Sequence, residues 1–169
     1  MSEKVNSIIN SEIIDDESLK DMYLTFSVES EEYAVCIENV TEIVTNQRII
    51  PAPDVPEYIA GVINLRGKVI PLMDVRLRFG LKQKEYDDRT CIIVVEIDNV
   101  PTGLMVDSVK DVLEIQEQDI EPPKYGKGKG IIEGLGKREE NVNFIINLPH
   151  LLAEKEINLE ELKEVTGTE

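Results

Sequence analysis

The chain has 169 residues, enough for one domain or two small fused subdomains, and 41% are hydrophobic, so a packed core is expected. It carries 18 Lys and Arg against 34 Asp and Glu, a net charge of −16. That charge repels phosphate backbones and anionic lipid surfaces, and no apolar run approaches the ~20 residues that cross a bilayer. The start of the chain has no apolar signal core, which predicts a cytoplasmic protein without membrane insertion.

Residues 1–21 read as an acidic, flexible tail, with Ile8, Ile9, Ile13 and Ile14 at roughly helical spacing. From Tyr23 the period becomes two. Leu24, Phe26 and Val28 share one face, Glu29 to Glu32 turn the chain, and Tyr33, Val35 and Ile37 complete a hairpin. Asn39 with Glu42 three positions on is a capping-box pattern and predicts a short helical turn. A proline-rich connection through Pro51, Pro53 and Pro56 follows.

Residues Gly61 to Asp74 predict a second hairpin, with Asn64, Leu65, Arg66 and Gly67 at its tip. Gly67 supplies the positive φ of a tight turn, and Pro71 is expected to end or edge the return strand. A hairpin needs glycine near its tip but not arginine, so Arg66 reads as an exposed charge offered to a partner. Asp74 caps a short helix from Val75 to Phe79, closed by Gly80, and residues 82–89 form a charged loop.

The apolar run Cys91 to Ile97 reads as a central strand, Asp98-Asn99 as a turn, and Leu104 to Val106 as the return. Residues 124–130 form a basic glycine loop, Ile131 to Leu135 and Val142 to Ile146 a last hairpin, and Asn147 caps a short helix. A C-terminal helix begins near Asn158.

The two halves match at an offset of 69 residues. Ile37 to Val44 falls on Val106 to Leu113, and Gly61-Val-Ile on Gly130-Ile-Ile; the register then slips by four, setting Asp74 on Asn147. Two related β subdomains explain the repeat, and closing each into a small barrel removes exposed edges. At the unslipped offset Arg66 falls on Leu135, so the frame does not require the arginine.

No catalytic, cofactor or metal pattern emerges. The one histidine, His150, sits among leucines; Cys36 and Cys91 lie far apart in apolar runs; and the glycine loop fits neither dinucleotide nor P-loop spacing. The expectation is a non-catalytic binding module without metal or cofactor.

Tyr33 to Val44, Gly61 to Arg76 with its Asn-Leu-Arg-Gly and Pro-x-x-Asp-x-Arg elements, and Gly103 to Asp107 resemble the CheW family, the coupling proteins of bacterial chemotaxis. The resemblance implies a mainly β fold: two SH3-like five-stranded β-barrel subdomains with short helices and a C-terminal helix. The domain then spans residues 22–154, with subdomains near 22–85 and 86–150, strands exchanged at their ends, and a helix and tail over 155–169. It further implies a monomeric adaptor that binds the regulatory domain of the histidine kinase CheA and the cytoplasmic tip of chemoreceptors. Asn64 and Arg66 carry over as receptor-coupling residues, Ile37, Val40 and Glu42 as kinase-binding residues. Glu121 and Tyr125 carry over as a second assembly contact, where Glu121 departs from the usual arginine-containing loop. Alternatives are a CheV-type module without a receiver domain and a small-ligand-binding barrel.

Overall fold

Alternating apolar residues build the first hairpin from β1 (Met22–Val28) and β2 (Glu31–Cys36). The structure, a computed structural model, describes residues 6, 19–88, 90–123 and 130–152. After a 3₁₀ turn over Ile37–Asn39 come β3 (Val40–Thr45), β4 (Ile59–Leu65), β5 (Lys68–Asp74) and the short helix α1 (Val75–Arg78). The second half supplies β6 (Cys91–Ile97), β7 (Val100–Val106) and β8 (Ser108–Glu114). A 3₁₀ turn over Glu117–Asp119 then leads to β9 (Ile120–Glu121), β10 (Ile132–Arg138) and β11 (Asn141–Ile146), with residues 148–152 helical. The expected C-terminal helix, most of the N-terminal tail and most of the glycine loop lie outside the described residues.

Two local expectations are corrected. Val40–Thr45 is a strand, not a capped helical turn. All its residues except Glu42 are β-branched, and pairing with β6 outweighs the capping pattern. Pro71 does not end its strand, because β5 runs on to Asp74. Pairing of β5 with β7 begins one residue later, at Leu72 opposite Gly103, so the missing N–H falls outside that ladder.

Each sheet draws on both halves of the sequence. The first has the order β3-β6-β7-β5-β4; the second has β8-β1-β2-β11-β10-β9. Strands β6 and β7 leave their own half to join the first sheet, and β1 and β2 join the second. The exchange is reciprocal, and each sheet has one parallel pair: β5 with β7, and β11 with β2. Sheet membership thus crosses the two sequence halves rather than following them. The result is two SH3-like barrels linked by the hairpins they have traded.

The first barrel closes where Ile50, just past β3, exchanges two 2.8 Å backbone hydrogen bonds with Val62 of β4. Gly61 makes that approach possible: a Cβ there would lie 2.2 Å from the Ile50 carbonyl oxygen. Glycine also takes the φ of +146° found at this bulge.

The core explains the apolar run at the centre of β6. Ile93 and Val95 face a cluster shared by both sheets, with Leu24, Phe26, Val35, Leu104 and Leu148. Ile92 and Val94 face a second cluster inside the first barrel, with Ile63, Leu72 and Met105. Over Ile92–Val95 both faces of the strand are buried, so these four positions leave no room for a polar residue, and Glu96 stands just beyond them. Each such side chain contributes roughly 1.5–3 kcal/mol.

Candidate partner-binding face

Strands β4 and β5 join through a two-residue turn, with Leu65 opposite Lys68. Both turn residues are left-handed, Arg66 at φ 53° and Gly67 at φ 85°, as a type I′ turn demands. Glycine adopts this freely. A residue with a Cβ loses roughly 1 kcal/mol there, and asparagine or glycine is the favoured occupant. Asn64 braces the tip, its Oδ1 accepting the Gly67 N–H at 2.8 Å. Arg66 projects from it with 72% of its side chain exposed.

The second hairpin refines the comparison between the halves. Arg138 lies opposite Asn141, so its tip is Glu139-Glu140, and Glu139 is left-handed at φ 57°. Leu135, which the unslipped offset sets against Arg66, lies inside β10. The structural counterpart of Arg66 is therefore Glu139, four residues further along. A left-handed tip residue recurs with the opposite charge, so the barrel frame has no need of arginine.

The Arg66 guanidinium pairs with the Glu42 carboxylate on β3. β3 and β4 are the two edges of the first sheet, so this pair lies across the seam where the barrel closes. Ile37 and Val40, expected on the same surface, are 3% and 4% exposed and belong to the shared core. They lie on the core side of this face, while Glu42 presents a polar atom. Glu121 on β9 pairs with Lys137 at 2.6 Å. Tyr125 lies outside the described residues.

Two polar centres escaped the sequence reading. Arg76, in α1, pairs with Glu29 and, through Nε at 3.0 Å, with Asp107 Oδ1. Asp107 also accepts the Glu29 N–H at 2.8 Å. The partners lie 47 and 31 residues from Arg76, a separation at which no local motif shows. In the second centre, buried Asp74 caps α1 as expected by accepting the Leu77 N–H; the unforeseen contact is the Tyr86 hydroxyl, which it accepts at 2.5 Å.

Burial, and then the bond to Asp74, push the Tyr86 phenol well above its ordinary value of 10.0. The folded chain therefore holds this proton more tightly than the unfolded chain. The resulting stability is complete below pH 10 and is lost as pH rises above it. Tyr86→Phe is expected to cost about 1.5 kcal/mol at neutral pH, the worth of a hydrogen bond to a charged group. It should also flatten the alkaline limb of the stability profile. Urea titrations of both proteins from pH 7 to 11 check this, and parallel profiles would rule it out.

The cysteines are half-buried. Burial pushes the Cys36 thiol up, which keeps it protonated and unreactive at neutral pH. Among the described residues, no cluster of three or more His, Cys, Asp and Glu is placed to hold a metal ion, and no helix is long and apolar enough to cross a membrane.

Two barrels on a shared core, with a braced and charged hairpin tip at the seam of one, define a two-barrel scaffold domain. The sequence profile of the CheW-like domain matches residues 22–156, and the chain belongs to that family, one of chemotaxis scaffolds and adaptors. It is similar to the chemotaxis protein CheW of Klebsiella aerogenes, 31% identical over 146 residues, 85% of this chain and 88% of that one. The chemotaxis protein CheW of Bacillus subtilis is 36% identical over 127 residues, 73% of this chain and 81% of its own. The crystal structure of the scaffolding protein TtCheW from Thermoanaerobacter tengcongensis superposes with a TM-score of 0.72 at 38% identity, covering 78% of this chain and 91% of that one.

Proposed function

We propose that this chain is a non-catalytic cytoplasmic adaptor of bacterial chemotaxis that couples chemoreceptors to the histidine kinase CheA by binding both. The observation that carries the reading is Arg66, an exposed arginine in a left-handed turn position that favours asparagine or glycine and that holds glutamate in the sister hairpin. Local strain kept at an exposed site points to a task outside the fold.

On this reading Arg66, held up by the Asn64 brace, meets the receptor tip. Glu42, supported by Ile37 and Val40, belongs to the face that meets the regulatory domain of the kinase. Glu121 and Tyr125 form the second assembly contact. The two principal contacts meet at one ion pair, so the receptor and kinase faces adjoin.

Co-sedimentation with receptor-tip fragments and the kinase regulatory domain, separately and together, tests the proposal. An adaptor binds each alone and retains more of both in the ternary mixture. Binding to neither, or mutual displacement of the two partners, would overturn it.

A further inference from the structure

The two barrels close alike but are filled differently. In the first, Ile50 bridges to Val62 of β4; in the second, Glu121 of β9 pairs with Leu135 of β10. The strand registers set the two interiors side by side. Ile63 lies opposite Ile70, and Gly136 opposite Asn143. Val94 lies opposite Gly103, which pairs with Leu72; Thr25 lies opposite Ala34, which pairs with Ile145. Ile92 lies opposite Met105, and Tyr23 opposite Cys36.

Every first-barrel residue in these pairs except Gly103 belongs to the buried apolar cluster of that barrel. At the same places the second barrel keeps one large aliphatic side chain, Ile145. Where the first has a large apolar group, the second has no side chain at Gly136, an amide at Asn143 and a hydroxyl at Thr25, with a half-buried phenol and thiol at Tyr23 and Cys36. Ile115 fills the space beside Gly136, where a Cβ would lie 3.2 Å from it. Among the described residues, the buried apolar side chains outside the two core clusters are only Ala34, Ile115 and Ile145. Little apolar burial therefore holds this interior together.

The polar groups inside are unequally served. Thr25 Oγ1 donates to the Asp111 carbonyl and accepts the Asp111 N–H, both at 3.0 Å. Asn143 is 1% exposed, and its Oδ1 has no hydrogen-bond partner among the described residues. A buried polar atom left unpaired destabilises the state that buries it. The seam is also shorter: β11 pairs with β2 over two residues, β5 with β7 over three. Ile146 in the shared core and the Phe144–Tyr33 ring contact at 5.6 Å hold the hairpin down from its other face.

We propose that the β10–β11 hairpin is a separate opening unit, which parts from β2 and β9 while the first barrel stays folded. Opening brings water to Asn143 and parts the Glu121–Lys137 pair, so the surface around β9 changes with it. Elements that move in recognition are drawn from the least stable part of a fold, and a hairpin over a polar interior meets that condition.

Amide hydrogen exchange on the full chain tests this. Amides of β10 and β11 are expected to exchange about tenfold faster, or more, than those of β4 and β5, since one unpaired buried polar group carries about that penalty. Ile63→Val, in the first barrel, should speed exchange in β4 and β5 about fivefold, the effect of one lost methylene, and leave β10 and β11 unchanged. Asn143→Leu, of nearly the same size, should slow exchange in β10 and β11 about tenfold. Equal rates in the two hairpins, or an equal response of both to Ile63→Val, would show a single cooperative unit and overturn the proposal. Faster exchange of β10 and β11 in Asn143→Leu, or failure of that variant to fold, overturns the polar interior as the cause.

Discussion

Arg66→Glu is expected to weaken assembly with receptor tips and kinase by about 30-fold or more, while the protein stays folded. The size follows from arginine hot spots, whose truncation costs about 2 kcal/mol or more in an interface. Reversing the charge adds repulsion to that loss. Stability should fall by about 1 kcal/mol or less. The Arg66–Glu42 pair is exposed on the arginine side, and such pairs are worth about 0.2–1 kcal/mol. Arg66→Asn sharpens the separation. Asparagine accepts the left-handed turn, which offsets the loss of the ion pair, so this variant should be at least as stable as the parent and still lose coupling. Thermal melts together with co-sedimentation of the three proteins decide the matter. If Arg66→Asn is less stable than the parent, the arginine serves the fold; if it couples as well as the parent, the arginine serves nothing outside it.

What the sequence revealed depended on how local each signal was. The Arg66-Gly67 and Asp98-Asn99 turns, the Asp74 cap and the β6 run are written within a few residues of themselves, and each stands where its residues point. The repeat showed two related units, because a duplicated strand pattern survives as spacing. It could not show which sheet a hairpin joins. β6 and β7 satisfy their backbone groups equally well beside either half, and the choice falls to packing against β3 and β5. β3 itself was misread because a capping box counts two side chains, while the strand gains from a partner 53 residues away at Thr41 and Val94. Ile37 and Val40 carry no mark of burial, because an apolar residue at the end of a strand fits core and contact surface alike. The Arg76 contacts were invisible for the opposite reason. Their residues are ordinary in composition and become special only when the fold brings carboxylates from distant positions to the guanidinium.

Arg76→Ala is expected to destabilise the protein by about 3 kcal/mol, lowering the thermal midpoint by roughly 6–12 °C for a domain of this size. The side chain is 11% exposed and has two carboxylates, which differ in what they lose. Glu29 is 51% exposed and can turn into water when the arginine leaves, so its share is small. Asp107 is 18% exposed and stays in place through its bond to the Glu29 N–H, so its charge remains half-desolvated without a counterion. That stranded charge carries most of the effect. It also predicts a double variant: Arg76→Ala with Asp107→Asn should recover part of the loss, because the neutral amide no longer needs a cation. The network joins α1, the β1–β2 turn and the link between β7 and β8, and so ties elements of both sheets. Unfolding by urea at 0.1 M and 1 M salt separates this account from a surface ion pair. A buried network keeps most of its contribution at high salt, where the Debye length falls to about 3 Å. A loss below about 1 kcal/mol, or one that disappears in 1 M salt, would show that the two barrels are held together by apolar packing alone.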